Sequence, residues 1–178
     1  DTHDQQATAS GPFNALSAGA YHSCGLSQEG LAECWGWDFS GQSTPPEVSL
    51  SAVGAGQDET CGIDTDGALV CWGATDLGIH EPPEIDGSFQ SLDLGRDHAC
   101  GLDDSGAIHC WGLDESGSTR APSGSFSSLS MGSAFGCAVS TESTLSCWGL
   151  DDYGQVQAPE GSFTQVSAGR RHACALTS

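Results

Sequence analysis

Lysine is absent from this 178-residue chain, and four arginines stand against 24 acidic residues, for a formal charge of −20. So few cations argue against nucleic-acid binding, because phosphate contacts need Lys and Arg to displace counterions. They argue equally against docking on anionic lipid. Such a charge favours solubility, mutual repulsion, and contact with cations or basic partners. No apolar run approaches the roughly 20 residues that span a bilayer. Nowhere do apolar residues keep a helical period over three turns, which leaves strands as the building element. No methionine or signal peptide precedes Asp1, so the chain reads as processed or cut. The one asparagine, Asn14, lies outside a sequon, which argues against N-glycosylation. Cysteine pairs two to four residues apart are missing too, and with them the usual zinc spacing. No Gly-x-Ser-x-Gly, His-Glu-x-x-His or phosphate-cradling loop is present.

What the chain does have is an internal period. His22 to Gly36, HSCGLSQEGLAECWG, reads as a β-hairpin with Cys24 and Cys34 on either side of a polar turn. It returns as CGIDTDGALVCWG (Cys61 to Gly73), CGLDDSGAIHCWG (Cys100 to Gly112) and CAVSTESTLSCWG (Cys137 to Gly149), and begins a fifth time at Cys174. First cysteines are spaced 37, 39, 37 and 37 residues apart. Eight of the nine cysteines form four pairs with nine residues between partners. Cross-strand positions of a hairpin have Cα atoms about 4.5–5.5 Å apart, within disulfide range. The spacing therefore predicts Cys24–Cys34, Cys61–Cys71, Cys100–Cys110 and Cys137–Cys147, each bridge stabilising by about 3 kcal/mol. An oxidising, secreted or cell-surface location follows.

Each unit runs in a fixed order: an apolar strand, the first-cysteine strand, a turn at Gly30, Gly67, Gly106 or Ser143, and a Cys-Trp-Gly strand. A polar loop then carries an acidic residue, a glycine and a proline. On the third strand Ala32, Leu69, Ile108 and Leu145 share the cysteine's face while tryptophan takes the other. Both faces thus carry bulk, which suits a small sheet sandwiched between similar sheets. The predicted fold is all-β, a β-propeller with one blade per ~37-residue repeat. Residues 1–12 read as the end of a preceding unit. Four repeats span 13–49, 50–88, 89–125 and 126–162, and an incomplete fifth spans 163–178.

The stretch AGAYHSCGLSQEGLAECWGWDFSGQ resembles the repeat of the regulator of chromosome condensation family, in its short, secreted bacterial form. Gly41-Gln42 and Gly154-Gln155 keep that repeat's loop signature, whereas Gly78-Ile79 and Gly117-Ser118 depart from it. The resemblance implies a propeller, usually of seven blades, and a binding role rather than catalysis. It carries over neither nucleotide exchange on the small GTPase Ran nor chromatin binding, which the charge contradicts.

The Cys-Trp-Gly strand occurs four times and the strands before it five. The chain is thus a ring with a thin fifth blade, a piece of a longer array, or an end completed by another copy. Cys174, left without a partner, sits where that strand is missing. Arg170-Arg171, the clustered cations, are expected near Asp1 or Asp4 of a neighbouring copy. Trp37 stands outside the repeat pattern and is expected as an exposed contact residue. The expected function is a non-enzymatic structural or protein-binding module that assembles head-to-tail into an oligomer or filament. No cofactor is expected. Two rival readings are a calcium-dependent adhesin and a rim-site lyase or hydrolase. Calcium would use Asp38, Asp76, Asp114, Asp151 and Asp152, against the alternative that each aspartate caps its own turn. An enzyme would show unlike residues breaking the repeat on one rim of adjacent blades. His22, His98 and His172 share a slot that elsewhere holds Glu59 or Phe135, which reads as structural, with polar members bonded to a loop backbone.

Overall fold

The computed structural model of the chain describes residues 9–76 and 78–178. Each repeat folds on itself as an antiparallel meander. The first blade is β1 (Phe13–Ala18), β2 (His22–Ser27) and β3 (Ala32–Gly36); the second is β4 (Leu50–Ala55), β5 (Glu59–Asp64) and β6 (Leu69–Gly73). The third is β7 (Phe89–Leu94), β8 (His98–Asp103) and β9 (Ile108–Gly112); the fourth is β10 (Phe126–Met131), β11 (Phe135–Ser140) and β12 (Leu145–Gly149). The last sheet holds only β13 (Phe163–Ala168) and β14 (Ala173–Thr177). These are three-stranded propeller blades, with a polar loop where many propellers carry a fourth strand.

Local chemistry explains the hairpins. The turn between second and third strand needs one left-handed residue, and glycine supplies it at Gly30, Gly67 and Gly106 with φ of 79°, 83° and 82°. In the fourth blade Ser143 takes the same conformation at φ 65° despite its Cβ. Register then sets each cysteine opposite its partner: Cys24↔Cys34, Cys61↔Cys71, Cys100↔Cys110 and Cys137↔Cys147. All four bridges are formed, with Cα atoms 4.0–4.1 Å apart. They are this close because Ser27 N donates to Leu31 O and Trp37 N to Tyr21 O, placing the ladder bonds on alternate pairs. The cysteines occupy the non-hydrogen-bonded sites, where strands approach most nearly.

The sheets pack in chain order, each against the next. The tryptophan face of one blade lies on the disulfide face of the blade before it. Trp72 packs with Leu26, Leu50, Ala32 and Cys34; Trp111 with Cys61, Leu94, Ala99 and Cys71; Trp148 with Cys100, Leu102, Phe126 and Cys110. Each indole N–H is satisfied by a carbonyl of the preceding blade's loop. Trp72 donates to Gln42 O at 3.0 Å, Trp111 to Ile79 O at 2.9 Å and Trp148 to Ser118 O at 2.9 Å. A buried indole must find such a partner, so one residue supplies both apolar area and register. Trp35, whose face meets no earlier described blade, is half-buried and stacks on Phe13 at 6.0 Å.

First strands line the axis. There Ala55 N donates to Ser17 Oγ at 2.9 Å, Met131 N to Asp93 Oδ2 at 2.8 Å and Ala168 N to Ser130 Oγ at 3.0 Å. These bonds link the first strands of neighbouring blades.

Candidate functional site

Five first strands end on one side of the axis in a shared pattern: a glycine (Gly19, Gly56, Gly95, Gly132, Gly169), then two residues, then the slot residue. Each glycine amide donates to the carbonyl of its own slot residue, at 2.8–2.9 Å in all five repeats. Space forces the choice. A Cβ on Gly19 would lie 2.2 Å from Gly56 O of the next blade, and one on Gly132 would lie 2.0 Å from the Phe135 ring.

The strand ends surround a cavity of about 640 Å³. Ala18, Ala55, Leu94, Met131 and Ala168 give it an apolar wall. Its rim is the residue after each glycine: Ala20, Gln57, Arg96, Ser133 and Arg170. These five positions carry four different residue types, and two of the chain's four arginines are among them. Arg96 Nε lies 3.1 Å from Gln57 Oε1, to which it donates, and 3.2 Å from Asp97 Oδ2. Gln57 Nε2 in turn donates to Asp58 Oδ2 at 3.1 Å. Burial pushes the Asp97 carboxyl above its ordinary value while Arg96 pulls it back. Among the described residues the lining holds no histidine, cysteine or carboxylate. The arrangement can hold an anionic, partly apolar group; it offers no acid–base pair.

Beneath the rim lies the slot ring. His22, Glu59, His98 and Phe135 are fully buried, whereas His172 is exposed. His22 Nε2 donates to Thr60 Oγ1 at 2.7 Å, and Thr60 donates to Gln42 O at 2.9 Å. His22 thus reaches the loop backbone through Thr60 rather than directly. Burial pushes His22 downward against the raising fields of Asp58 and Asp38, and takes His98 down to about 4. It pushes Glu59 up to about 7, although Glu59 Oε2 accepts from Asp58 N at 3.1 Å. Asp93, which accepts from Met131 N, Ser130 Oγ and Leu94 N, is also raised by burial.

The loop aspartates turn inward on themselves. Asp38 accepts from Ser43 N and Thr44 Oγ1, Asp114 from Thr119 N and Arg120 Nε, and Asp151 from Val156 N and Gln157 Nε2. Asp76 and Asp152 are exposed. Among the described residues no three His, Cys, Asp or Glu side chains gather as metal ligands. His109 donates to Asp103 at 2.7 Å, a tie to its own turn. Trp37 differs from expectation. It is half-buried and stacks on Phe39 at 6.0 Å, and Phe39, 86% exposed, is the aromatic offered to solvent. Phe39 was hidden in the sequence because it lies inside the loop pattern. Arg170 and Arg171 part company: Arg170 is on the axial rim, while the Arg171 guanidinium lies 4.9 Å over the Tyr153 ring. Asp1 and Asp4 lie outside the described residues.

The family profile for the regulator of chromosome condensation (RCC1) repeat matches residues 13–42, 89–118 and 126–155, half of the chain. The chain belongs to the RCC1 repeat family. Its fold is similar to the CRINKLY WD40 ectodomain of the Arabidopsis thaliana receptor kinase ACR4, at 25% identity and TM-score 0.78 over 97% of this chain and 64% of that one. It is similar also to the ectodomain of the Physcomitrella patens receptor kinase CR4, at 26% identity and TM-score 0.79 over 96% and 49%. Prp20p of Saccharomyces cerevisiae, described with its binding to Gsp1p and histones, shares the fold at 16% identity and TM-score 0.79 over 92% and 54%. The chain therefore spans less than two thirds of these relatives' own length. No curated protein matches it by sequence. No described helix is long and apolar enough to cross a membrane.

Proposed function

We propose that this RCC1-repeat chain is a secreted, non-enzymatic protein-interaction module that receives an acidic segment of its partner in the axial pocket. The observation that carries this reading is the rim. Side chains 37–39 residues apart in sequence converge there, and they place Arg96 and Arg170 on one pocket rim of a molecule of charge −20. Two guanidinium groups on one rim, that of Arg96 already shared with Asp97, favour a carboxylate-bearing segment that the acidic faces would reject. The binding relatives and the receptor ectodomains support a protein partner and an extracellular setting. Four disulfides support the oxidising compartment.

Titration with a hexaglutamate peptide at low salt is the test. Arg96→Glu with Arg170→Glu should weaken binding at least tenfold while leaving the far-ultraviolet circular dichroism unchanged. Equal affinity in the variant would remove the pocket from the account.

A second reading, head-to-tail assembly, has its own observation. Leu16 on the first blade's tryptophan face is 71% exposed and Leu176 on the last blade's disulfide face is 61% exposed. These are the two halves of the contact that recurs between blades inside the chain. Sedimentation velocity should show association that Leu16→Glu and Leu176→Glu each abolish.

A further inference from the structure

The seams between consecutive blades are not tied alike. Along the axis, the amide that precedes a first-strand glycine finds an acceptor on the blade before it: Ser17 Oγ at the first seam, Asp93 Oδ2 at the third and Ser130 Oγ at the fourth. At the second seam the accepting position is Gly54, which has no side chain, and Leu94 N turns to its own Asp93 Oδ1 at 3.0 Å. The rim repeats the contrast. Ala20 N donates to Gly56 O at 3.0 Å and Arg96 N to Ser133 O at 3.2 Å, each reaching into the next blade, whereas Gln57 N serves the Glu59 carboxyl of its own turn. Thr60, which takes the His22 bond across the first seam, has Ala99 as its counterpart in the third blade. The second seam thus rests on the apolar cluster around Trp111, on that indole's bond to Ile79 O and on Arg96 Nε against Gln57 Oε1. Both of its blades have a described blade on their other side.

Into this seam the chain puts a carboxyl. Glu59 is 1% exposed; its Oε2 accepts from Asp58 N, and its Oε1 has no partner among the described residues. A Cβ on Gly56 would run into Oε1 and stand 3.2 Å from Gly95 O of the third blade, so the two oxygens border one small space. The charged groups around it are Asp58 on its own turn and, on the third blade's turn, Asp97 with its ion-pair partner Arg96. From the first blade comes His22, bonded to Thr60 next along the chain. Burial, then the fields of Asp97 and Asp58, hold the Glu59 carboxyl up at about 7 against the amides of Asp58 and Gln57.

We propose that the seam between the second and third blades is a pH-operated hinge, shut while Glu59 is neutral and loosened once it ionises. Neutral, the carboxyl can donate from Oε1 toward Gly95 O, supplying a link that backbone groups supply at the flanking seams. Ionised, it sets two bare acceptors in one space and adds its charge to those of Asp58 and Asp97. No cation is left to meet it, since Arg96 is committed to Asp97 and Gln57. A buried charge in that position draws water, and water enters where the fewest bonds must break. Gln57 and Arg96 stand on opposite sides of the hinge, so their contact is the part of the rim that would move. The inference stands whether or not the axial pocket takes an acidic segment.

Each of the first three seams carries its own reporter, the indole N–H of Trp72, Trp111 or Trp148 bonded to a loop carbonyl. Hydrogen exchange at the three indoles is read by nuclear magnetic resonance and corrected for the intrinsic effect of pH. Between about pH 5.5 and about pH 8.5, Trp111 should lose about tenfold more protection than Trp72 or Trp148. The direction comes from a carboxyl that binds its proton more tightly in the closed seam, so closure is favoured below about 7 and lost above it. Glu59→Gln keeps the shape and a donor without the charge, and should leave Trp111 as protected at the higher pH as at the lower. Equal losses at all three indoles, or none at Trp111, would overturn the hinge. So would a selective Trp111 loss that persists in Glu59→Gln, which would assign the charge to Asp97 instead.

Discussion

The third blade and the last sheet begin alike. Phe89 and Phe163 are equally buried, their strands carry the same bulge one residue later, and His98 and His172 occupy the same slot. They part at the face that looks toward the next blade. Leu102 is 5% exposed and Leu176 61%; Cys100 is sealed and Cys174 is exposed. Sequence propensity is nearly constant between the two, so the difference is one of neighbours. A repeat of this kind is half a core, and the following blade supplies the other half.

Removing the wedge should break that contrast hardest. Trp111→Ala in a closed interface should cost about 3–5 kcal/mol, read as a shift of the urea midpoint. Trp35→Ala, at a half-buried indole stacked on Phe13, should cost well under half as much in the same melts. Next comes the bridge. Cys100→Ser with Cys110→Ser should cost about 3 kcal/mol, while Cys174→Ser should leave the midpoint unmoved.

The slot ring responds to pH. Glu59 has an ordinary value of 4.5 and is raised to about 7, so the folded state holds its proton more tightly than the unfolded one. Its contribution is full below 4.5 and is lost as pH rises through about 7. His98, lowered from 6.5 to about 4, works in the opposite direction: its contribution is full above 6.5 and is lost as pH falls toward 4. Glu59→Gln should therefore raise stability at pH 8 by about 2 kcal/mol and leave it little changed at pH 4. Urea melts across that range check the sign. The smallest effect is at the hairpin. Ser143→Gly relieves a left-handed serine and should stabilise the fourth blade by about 1 kcal/mol, bringing its turn into line with Gly106.

The frame was legible from the chain because its signals are local or periodic. Cysteine spacing, the turn glycines and the alternation around Cys-Trp-Gly each concern residues within one hairpin. The pocket was not, because Gln57, Arg96 and Arg170 become neighbours only when separate blades turn about an axis. Thr60 was missed for a similar reason: nothing around it in sequence announces that it relays His22 to the carbonyl of Gln42. Trp37 misled because a tryptophan outside the period looks exposed, whereas its partner Phe39 takes that place.

Every bridge in the molecule closes within one blade, joining residues ten apart, and none crosses to the next. Under tension applied at the two ends, covalent links would spare each small hairpin loop while the seams between blades carried the load. The chain would then lengthen by yielding outside the bridges, while each bridged hairpin stayed closed upon itself.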